Sequence, residues 1–508
     1  MLSLFPEHIP EVDKRALARM GLDEETLIRR AGEAVAEEVA KRRAPTSVLI
    51  FCGCGNNGAD GYATALSLSA RGFRVLCVDV LGKGQRSEGG AGVLAAYTAL
   101  LGAPLSLKEG LAAEAEICVD AVLGSGARKE EPTGDLFAVW RYFTEKSAFK
   151  VAVDLPLGVD AAYGTLARKH LTVDLTIMLS FAKTGLLSYP AREACGELVR
   201  RGLGIDDPSL VEGLPTHLVA DDEYVKNALP KRGKNSHKGS FGRVAIVAGS
   251  KKYRGAALLS AEAAARCGAG LVSLYTEESV LAFVGRKRPE FLFTALPPSS
   301  AWTEREVLSL VDDVNSASAL LVGPGCDRTQ GALALILSLL QREGAPLVLD
   351  ADALNLLASL EDKGRTALKG AQRAVCLTPH PAELARLLGV TVSAVQEDRM
   401  AVAMAYARDT GVYLLLKGAA TVLTDGKEVS LNTTGSSALA KGGSGDVLAG
   451  AVAAFLAGGA PPLDALRLAA YLHGRAGDTL AESRSEYGVL PSELPLAMAG
   501  EIAKIGFF

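Results

Sequence analysis

Cysteine is scarce in this chain: eight among 508 residues, at 52, 54, 77, 118, 195, 267, 326 and 376, with no Cys-x-x-Cys pair. Such sparse spacing excludes a disulfide scaffold and makes a reducing cytoplasm the default compartment. Cys52-x-Cys54 offers at most half a metal site, because no second Cys or His cluster lies near it in sequence. Aromatic residues make up only 6% and the net charge is −4, so neither a base-stacking platform nor a polybasic footprint for nucleic acid or an anionic membrane is expected. Long apolar runs are also missing. The best candidate, Val447 to Ala460, is broken by glycines and falls short of the roughly 20 residues a span requires. The opening MLSLFPEHIPEVDKRA lacks a charged region followed by an apolar one, so no secretory signal is expected. What is present, 49% hydrophobic and 22% charged residues, describes a globular protein too long for one core. Two or more domains acting on small molecules are expected, with neither nucleic acid nor membrane as partner.

Glu11 to Arg43 has helical periodicity and ends in a basic cluster before Pro45. Short apolar runs then alternate with Ala/Leu-rich helical stretches: SVLIF, RVLCVDV, EICVDAVLG, KVAVDLPLG and DLTIMLSF. Continuous apolar strands separated by helices predict a parallel sheet covered on both faces. From Asp206 to Lys238 the pattern becomes polar, Pro- and Lys-rich, which reads as a linker and the entry to a second domain. A second alternating series follows (RVAIVAG, GLVSLYT, ALLVGPG, PLVLDADALN, AVCLTP, VYLLLKG), and TVLTDG with EVSLN reads as a hairpin around Asp425-Gly426. The organisation is therefore two α/β domains, 1–222 and 223–508.

In open parallel sheets ligands bind at the carboxyl ends of the strands. The first such end, FCGCGNNGADGY (51–62), contains Gly53-x-Gly55-x-x-Gly58, and Asp79 ends the next apolar run. That spacing suits a dinucleotide-binding turn and, alone, a dehydrogenase. Asn56, Asn57 and Asp60 are surplus to such a turn. Other strand ends carry DAVLGSG (120–126), DLPLGVD (154–160), GPGCDR (323–328), DADALN (350–355), TPHPAE (378–383) and KGAAT (417–421). Glycine and aspartate are ordinary turn and capping residues, which accounts for any one of these loops but poorly for the whole set.

The strongest element is TTGSSALAKGGSGDVLAG, 433–450. Gly442-Gly443-Ser444-Gly445 precedes an apolar helix and aims backbone N–H groups and the positive end of the helix dipole at one point, an anion hole suited to phosphate. Asp446 would repel a phosphate held there. It makes sense as a base that takes a proton from a hydroxyl attacking that phosphate.

With these motifs in order, the second half resembles the ribokinase-like NAD(P)H-hydrate dehydratases, through HKGSFG (237–242), VAGSKKYRGA (247–256), VGPG (322–325), DADALN, TPHPAE, LKGAAT (416–421) and NTTGSSALAKGGSGDVLAG (432–450). The first half resembles the NAD(P)H-hydrate epimerases, through LIRRAG (27–32), CGCGNNGADGY (52–62), DAVLGSG, VDLPLGVD (153–160) and AKTGLLSYPAREACGEL (182–198). The resemblance implies a Rossmann-like three-layer sandwich followed by a ribokinase-like α/β domain. It also implies a substrate: NADH or NADPH hydrated on the nicotinamide ring, whose R and S epimers the first domain interconverts. The second domain phosphorylates the S hydroxyl from ADP, and phosphate then leaves.

Carried onto this chain, the dehydratase pattern makes Asp446 the base. Gly443, Ser444 and Gly445, together with Lys417, Gly418, Ala419, Ala420 and Thr421, hold ADP. Ala256, Gly325, His380 and Asp446 line the hydrate site, and Mg²⁺ accompanies the nucleotide. The epimerase pattern makes Asn56, Asn57, Gly58, Ala59 and Asp60 a substrate loop, and Gly124, Ser125, Gly126, Ala127, Arg128, Lys129 and Glu130 a loop for the substrate's phosphate. Asn57 and Asp120 become K⁺ ligands, and Asp154 the acid or base at the reacting carbon. The chain departs from the pattern twice: Leu157 stands where the family has a Ser ligand for K⁺, and Ser436 where it has Asn. ADP against ATP, and NADH against NADPH hydrate, stay open at this level, and a homo-oligomer is expected. The rival reading is a ribokinase-like small-molecule kinase with a noncatalytic nucleotide-binding module in front.

Overall fold

The computed structural model describes residues 1–506 apart from 82, 83, 85, 125–130, 206 and 286. The chain divides into two compact units, Leu2–His217 and Leu218–Phe508, with Met1 belonging to the second.

In the first unit a parallel sheet runs in the order Leu105–Ser106, Arg74–Asp79, Ser47–Cys52, Ile117–Ala121, Phe149–Val153, Leu175–Leu179 and Glu197–Arg201. The five apolar runs read from the sequence are its five central strands. On one face Ile28, Val35, Tyr62, Ala63 and Tyr97 pack with Ile50, Val119 and Val151; on the other, Val139, Tyr142 and Phe143 pack with Leu49, Phe51 and Val78. Strand residues alternate between these two clusters, as a sheet covered on both faces demands. The helical opening is broken in two, Ile9–Met20 and Glu24–Arg42. Gly21 ends the first helix in a left-handed conformation and the Asp23 side chain caps the second through Thr26 N–H, so capping overrides the continuous periodicity.

The second unit carries parallel strands in the order Leu292–Leu296, Leu271–Glu277, Arg243–Val247, Ala319–Val322, Leu347–Leu349, Val375–Leu377 and Tyr413–Leu416. The expected hairpin follows as antiparallel Thr421–Thr424 and Val429–Asn432. Part of the expected linker is folded: Leu218 and Val219 pair with Ser430 and Leu431, and Asp222–Ala228 is helical. Apolar anchors explain this, since Val219, Val225 and Leu229 are buried and Tyr224 Oη bonds Asp464 at 2.6 Å. Val447–Ala460, the apolar stretch too short for a span, supplies most of a buried helix, Ser444–Ala457, packed on helix Arg254–Arg266. Among the described residues no helix is long and apolar enough to cross a membrane.

Candidate active sites

Residues with positive φ that are not glycine mark where the backbone is held in a costly conformation, and such strain gathers at functional loops. In the first unit Asp154 (φ 70°) and Ser180 (φ 62°) sit directly after strands; in the second, Asp327 (63°), Ala351 (52°) and Ala420 (51°) lie in strand-end loops. All but Ser180 fall at ends singled out from the sequence, while Leu203, Glu361 and Ser485 hold positive φ elsewhere.

In the first unit the strand Ser47–Cys52 turns sharply into helix Asn56–Ala70. The turn requires its glycines. A Cβ on Gly53 would lie 2.0 Å from the Val122 carbonyl oxygen, and one on Gly58 would lie 1.9 Å from the Gly53 carbonyl oxygen. Asp79, the residue a dinucleotide fold would offer to ribose, is instead paired with Arg86 at 3.0 Å. The turn brings Asn57 against the next strand end: its Nδ2 donates to Leu123 O at 2.9 Å, while its buried Oδ1 has no hydrogen-bond partner. Asp120 is fully buried, accepting from Val122 N–H (3.1 Å) and Leu157 N–H (2.8 Å), and burial raises its carboxyl to about 6. Leu157, in the position of the family serine, turns its side chain into the apolar cluster of Phe51 and Val78.

Asp154 forms a buried ion pair with Lys183 and accepts a bond from Leu179 N–H at 3.3 Å. Lys183, only 1% exposed, also donates to Leu179 O at 2.5 Å. Both line a cavity of about 710 Å³ together with Asn56, Asn57, Asp60 and Gly124, so all but Ala59 and Gly58 of the described substrate-loop residues meet there. Asp13 and Glu24 line it too, and nothing in the sequence singled them out. Burial, then the neighbouring Asp154 and Asp13 charges, push the Asp60 carboxyl well above its usual range. Ser125 to Glu130, the expected phosphate loop, lie outside the described residues. Among the described residues no group of three or more His, Cys, Asp or Glu is placed to hold a metal ion.

In the second unit helix Ser444–Ala457 starts after Gly443, whose φ of 103° only glycine adopts readily. Ser444 anchors that start: its hydroxyl is 3.1 Å from His473 Nε2 and its N–H donates to Lys441 O at 3.2 Å. Burial pulls His473 down to about 4, so the ring is neutral at physiological pH. The N–H groups of Gly445 and Asp446 have no acceptor among the described residues and remain available to an anion.

Lys417 reaches this loop from the next strand end. Its Nζ is 2.9 Å from Asp350 Oδ1 and 4.0 Å from Glu383 Oε2, and a Cβ on Gly445 would lie 3.1 Å from it. Burial opposes the Lys417 charge, but Asp350, Glu383 and Asp446 outweigh it and raise its pKa. Burial first, then the Asp350 carboxylate, lifts Asp446 to about 7, with Lys417 pulling the other way. Burial likewise lifts Glu383 to about 6. Asp350, Glu383 and the buried Arg399 were not assigned from sequence. Arg399 donates to the carbonyls of Leu416 (3.3 Å) and Lys417 (3.2 Å) and so fixes the start of the 417–421 loop.

His380 caps helix Pro381–Leu388. Its Nδ1 accepts from Ala382 N–H (3.1 Å) and Glu383 N–H (3.3 Å), so the proton sits on Nε2, 3.3 Å from Glu383 Oε1. Gly325 and Ala256 meet: a Cβ on Gly325 would be 3.2 Å from that of Ala256.

A family model described as NAD(P)H-hydrate dehydratase matches residues 244–498, and one described as YjeF-related protein N-terminus matches 24–185. The chain is 34% identical over 505 residues to the bifunctional NAD(P)H-hydrate repair enzyme Nnr of Moorella thermoacetica, covering 95% of this chain and 93% of that one. To the enzyme of the same name from Escherichia coli it is 32% identical over 495 residues, covering 96% and 92%. Its second unit matches the crystal structure of an ADP/ATP-dependent NAD(P)H-hydrate dehydratase from Bacillus subtilis grown with ATP and Mg²⁺, at 29% identity and a TM-score of 0.50, over 58% of this chain and 100% of the other. By sequence along nearly its whole length and by the fold of its second unit, the chain belongs to the family of bifunctional NAD(P)H-hydrate repair enzymes.

Proposed function

We propose that the chain repairs hydrated NADH and NADPH, dehydrating the S form in the second unit with ADP as phosphoryl donor and interconverting R and S forms in the first. The observation that carries the reading is Asp446: a carboxylate lifted to about 7, placed at the start of a helix whose first free N–H groups suit phosphate. Asp446 takes the proton of the ring hydroxyl as its oxygen attacks the terminal phosphorus of ADP, and AMP leaves. The C–O bond to phosphate then breaks while a proton leaves the adjacent carbon, which restores the ring double bond and gives AMP and phosphate. Phosphate is a far better leaving group than hydroxide at neutral pH, which is why a phosphoryl group is consumed.

Lys417 and residues 418–421, with Gly443 to Gly445, surround the nucleotide, and Ala256, Gly325 and His380 the hydrate. The nearby carboxylates and the nucleotide's own oxygens suit Mg²⁺, a hard cation that supplies charge neutralisation on the phosphates. In the first unit Asn57 Oδ1, buried and unpartnered, and the Asp120 carboxylate are hard oxygen donors that fit K⁺. Asp154 is the acid or base beside the reacting carbon, and Asn56 to Asp60 with Gly124 to Glu130 hold the substrate. Eight free cysteines support a reducing compartment such as the cytoplasm. A homo-oligomer belongs to the same reading, and sedimentation measures it.

Product analysis tests the reading. Purified S hydrate with ADP and Mg²⁺ is expected to release free phosphate while the absorbance of reduced nicotinamide returns. Accumulation of a stable phosphoester without that absorbance would identify a kinase instead. Substituting ATP for ADP reads the nucleotide preference.

A further inference from the structure

The cavity of the first unit holds more acid–base equipment than Asp154 alone. Asp13, on helix Ile9–Met20, lines the same cavity as Asp60, Asp154 and Lys183, but from a different element. Its carboxyl makes no hydrogen bond or ion pair among the described residues. A half-buried carboxyl left unbonded on the wall of a cavity this size is unusual, because burial without a partner is costly. Asp154, by contrast, is tied to Lys183. The two carboxyls thus differ in kind, one ion-paired and one unbonded, which is the pattern that separates an acid from a base in one site.

Inverting a hydroxyl-bearing carbon needs a proton delivered to the departing oxygen and another removed from the arriving one. We propose that Asp13 is a second acid–base residue of the epimerase, working with Asp154 on the hydrate's hydroxyl; the proposal rests on the epimerase reading of this unit. Asp13 in its acid form gives its proton to the hydroxyl. The C–O bond breaks, water leaves, and the lone pair of the ring nitrogen closes a C=N⁺ bond. Water then adds to the opposite face of that carbon, its electron pair forming the new C–O bond as the C=N⁺ pair returns to nitrogen, and the released proton passes to Asp154. One proton enters and one leaves, no oxidant is required, and exchange with solvent resets both carboxyls.

The electrostatics agree. Burial raises Asp13 to about 6, with the Asp154 charge acting in the same direction and Lys183 opposing both. The titratable and charged groups facing the cavity are Lys14, Glu24, Cys54, Asp60, Asp154 and Lys183.

The test follows conversion of pure R hydrate by the full chain in K⁺ buffer without nucleotide, with parent, Asp13→Asn, Asp13→Glu and Asp154→Asn compared and their melting curves recorded. Expected for Asp13→Asn is a loss of about 100-fold or more in kcat with KM within about threefold, and disappearance of the pH-rate limb near 6. Asp13→Glu is expected to recover part of the rate. Turnover in Asp13→Asn within about threefold of the parent, or a change confined to KM, overturns the role of Asp13. Full activity in Asp154→Asn, or none in the parent, overturns instead the epimerase reading beneath it.

Discussion

Lys417 Nζ and Asp350 Oδ1 lie 2.9 Å apart, the carboxylate 2% exposed and the ammonium 20%. This pair closes the floor under Gly445, and removing Asp350 leaves the buried Lys417 charge with only the looser 4.0 Å contact to Glu383. Asp350→Asn is expected to destabilise the second unit by roughly 2–4 kcal/mol. It should also slow phosphate release at least tenfold, because the freed Lys417 is drawn to Asp446. Denaturant unfolding and a phosphate assay check both, and unchanged values in both would show the pair to be incidental.

The pH response of the second unit has a definite sign. The proposed base, Asp446, can accept a proton only when ionised, so turnover of the S hydrate is expected to rise with pH through about 7 and level off above. Stability runs the other way. With the folded pKa above the unfolded value of 3.8, the folded state holds more protons between 3.8 and about 7, and stability contributed by the neutral carboxyl is lost as pH rises through that window. Asp446→Asn is therefore expected to melt higher than the parent at pH 8 and to match it more closely at pH 5. A lower melting point at pH 8 would contradict the assigned burial.

Leu157 leads to a prediction for K⁺. Its side chain fills the core where the family pattern places a hydroxyl, while its N–H serves Asp120. Leu157→Ser is expected to lower the melting temperature, through a loss of about 1.5–3 kcal/mol of apolar burial. It should also lower the K⁺ concentration for half-maximal R-hydrate conversion several-fold. Titration with KCl at constant ionic strength measures this, and an unchanged K⁺ midpoint would remove Leu157 from the cation site.

The anion loop has a backbone requirement. An alanine at 443 would have to hold φ near 103° with its Cβ 2.7 Å from Leu259 Cδ1. Gly443→Ala is expected to cost about 1–3 kcal/mol of stability and to weaken Mg²⁺–ADP binding at least tenfold by calorimetry. Unaltered ADP affinity would place the phosphate elsewhere.

Much of this was legible in sequence for identifiable reasons. Parallel strands buried on both faces are continuous apolar runs, so eleven of them and the Asp425-Gly426 hairpin declared themselves, and the loops after them followed. Strand Leu292–Leu296 did not, because none of its five residues is buried, three being exposed and two only partly covered. Folding of the 216–228 segment was hidden by a few apolar anchors in polar sequence. Among site residues, those embedded in glycine-rich strand ends stood out. Asp13 did not: one carboxylate on an amphipathic helix far from its partners in sequence looks like any solvated position. Lys183 left a faint mark, a lysine inside the apolar IMLSFAKTGLL, which only burial against Asp154 explains. Asp350 was quoted within DADALN without a role, since its partner Lys417 lies 67 residues away.

The most direct measurement of the central claim is ADP-dependent conversion of purified S hydrate by Asp446→Asn, a change that keeps shape and removes the proposed base. The account predicts loss of about 100- to 10,000-fold in kcat, with neither phosphate release nor recovery of reduced nicotinamide absorbance above background, while ADP still binds. Full turnover by this variant would contradict it.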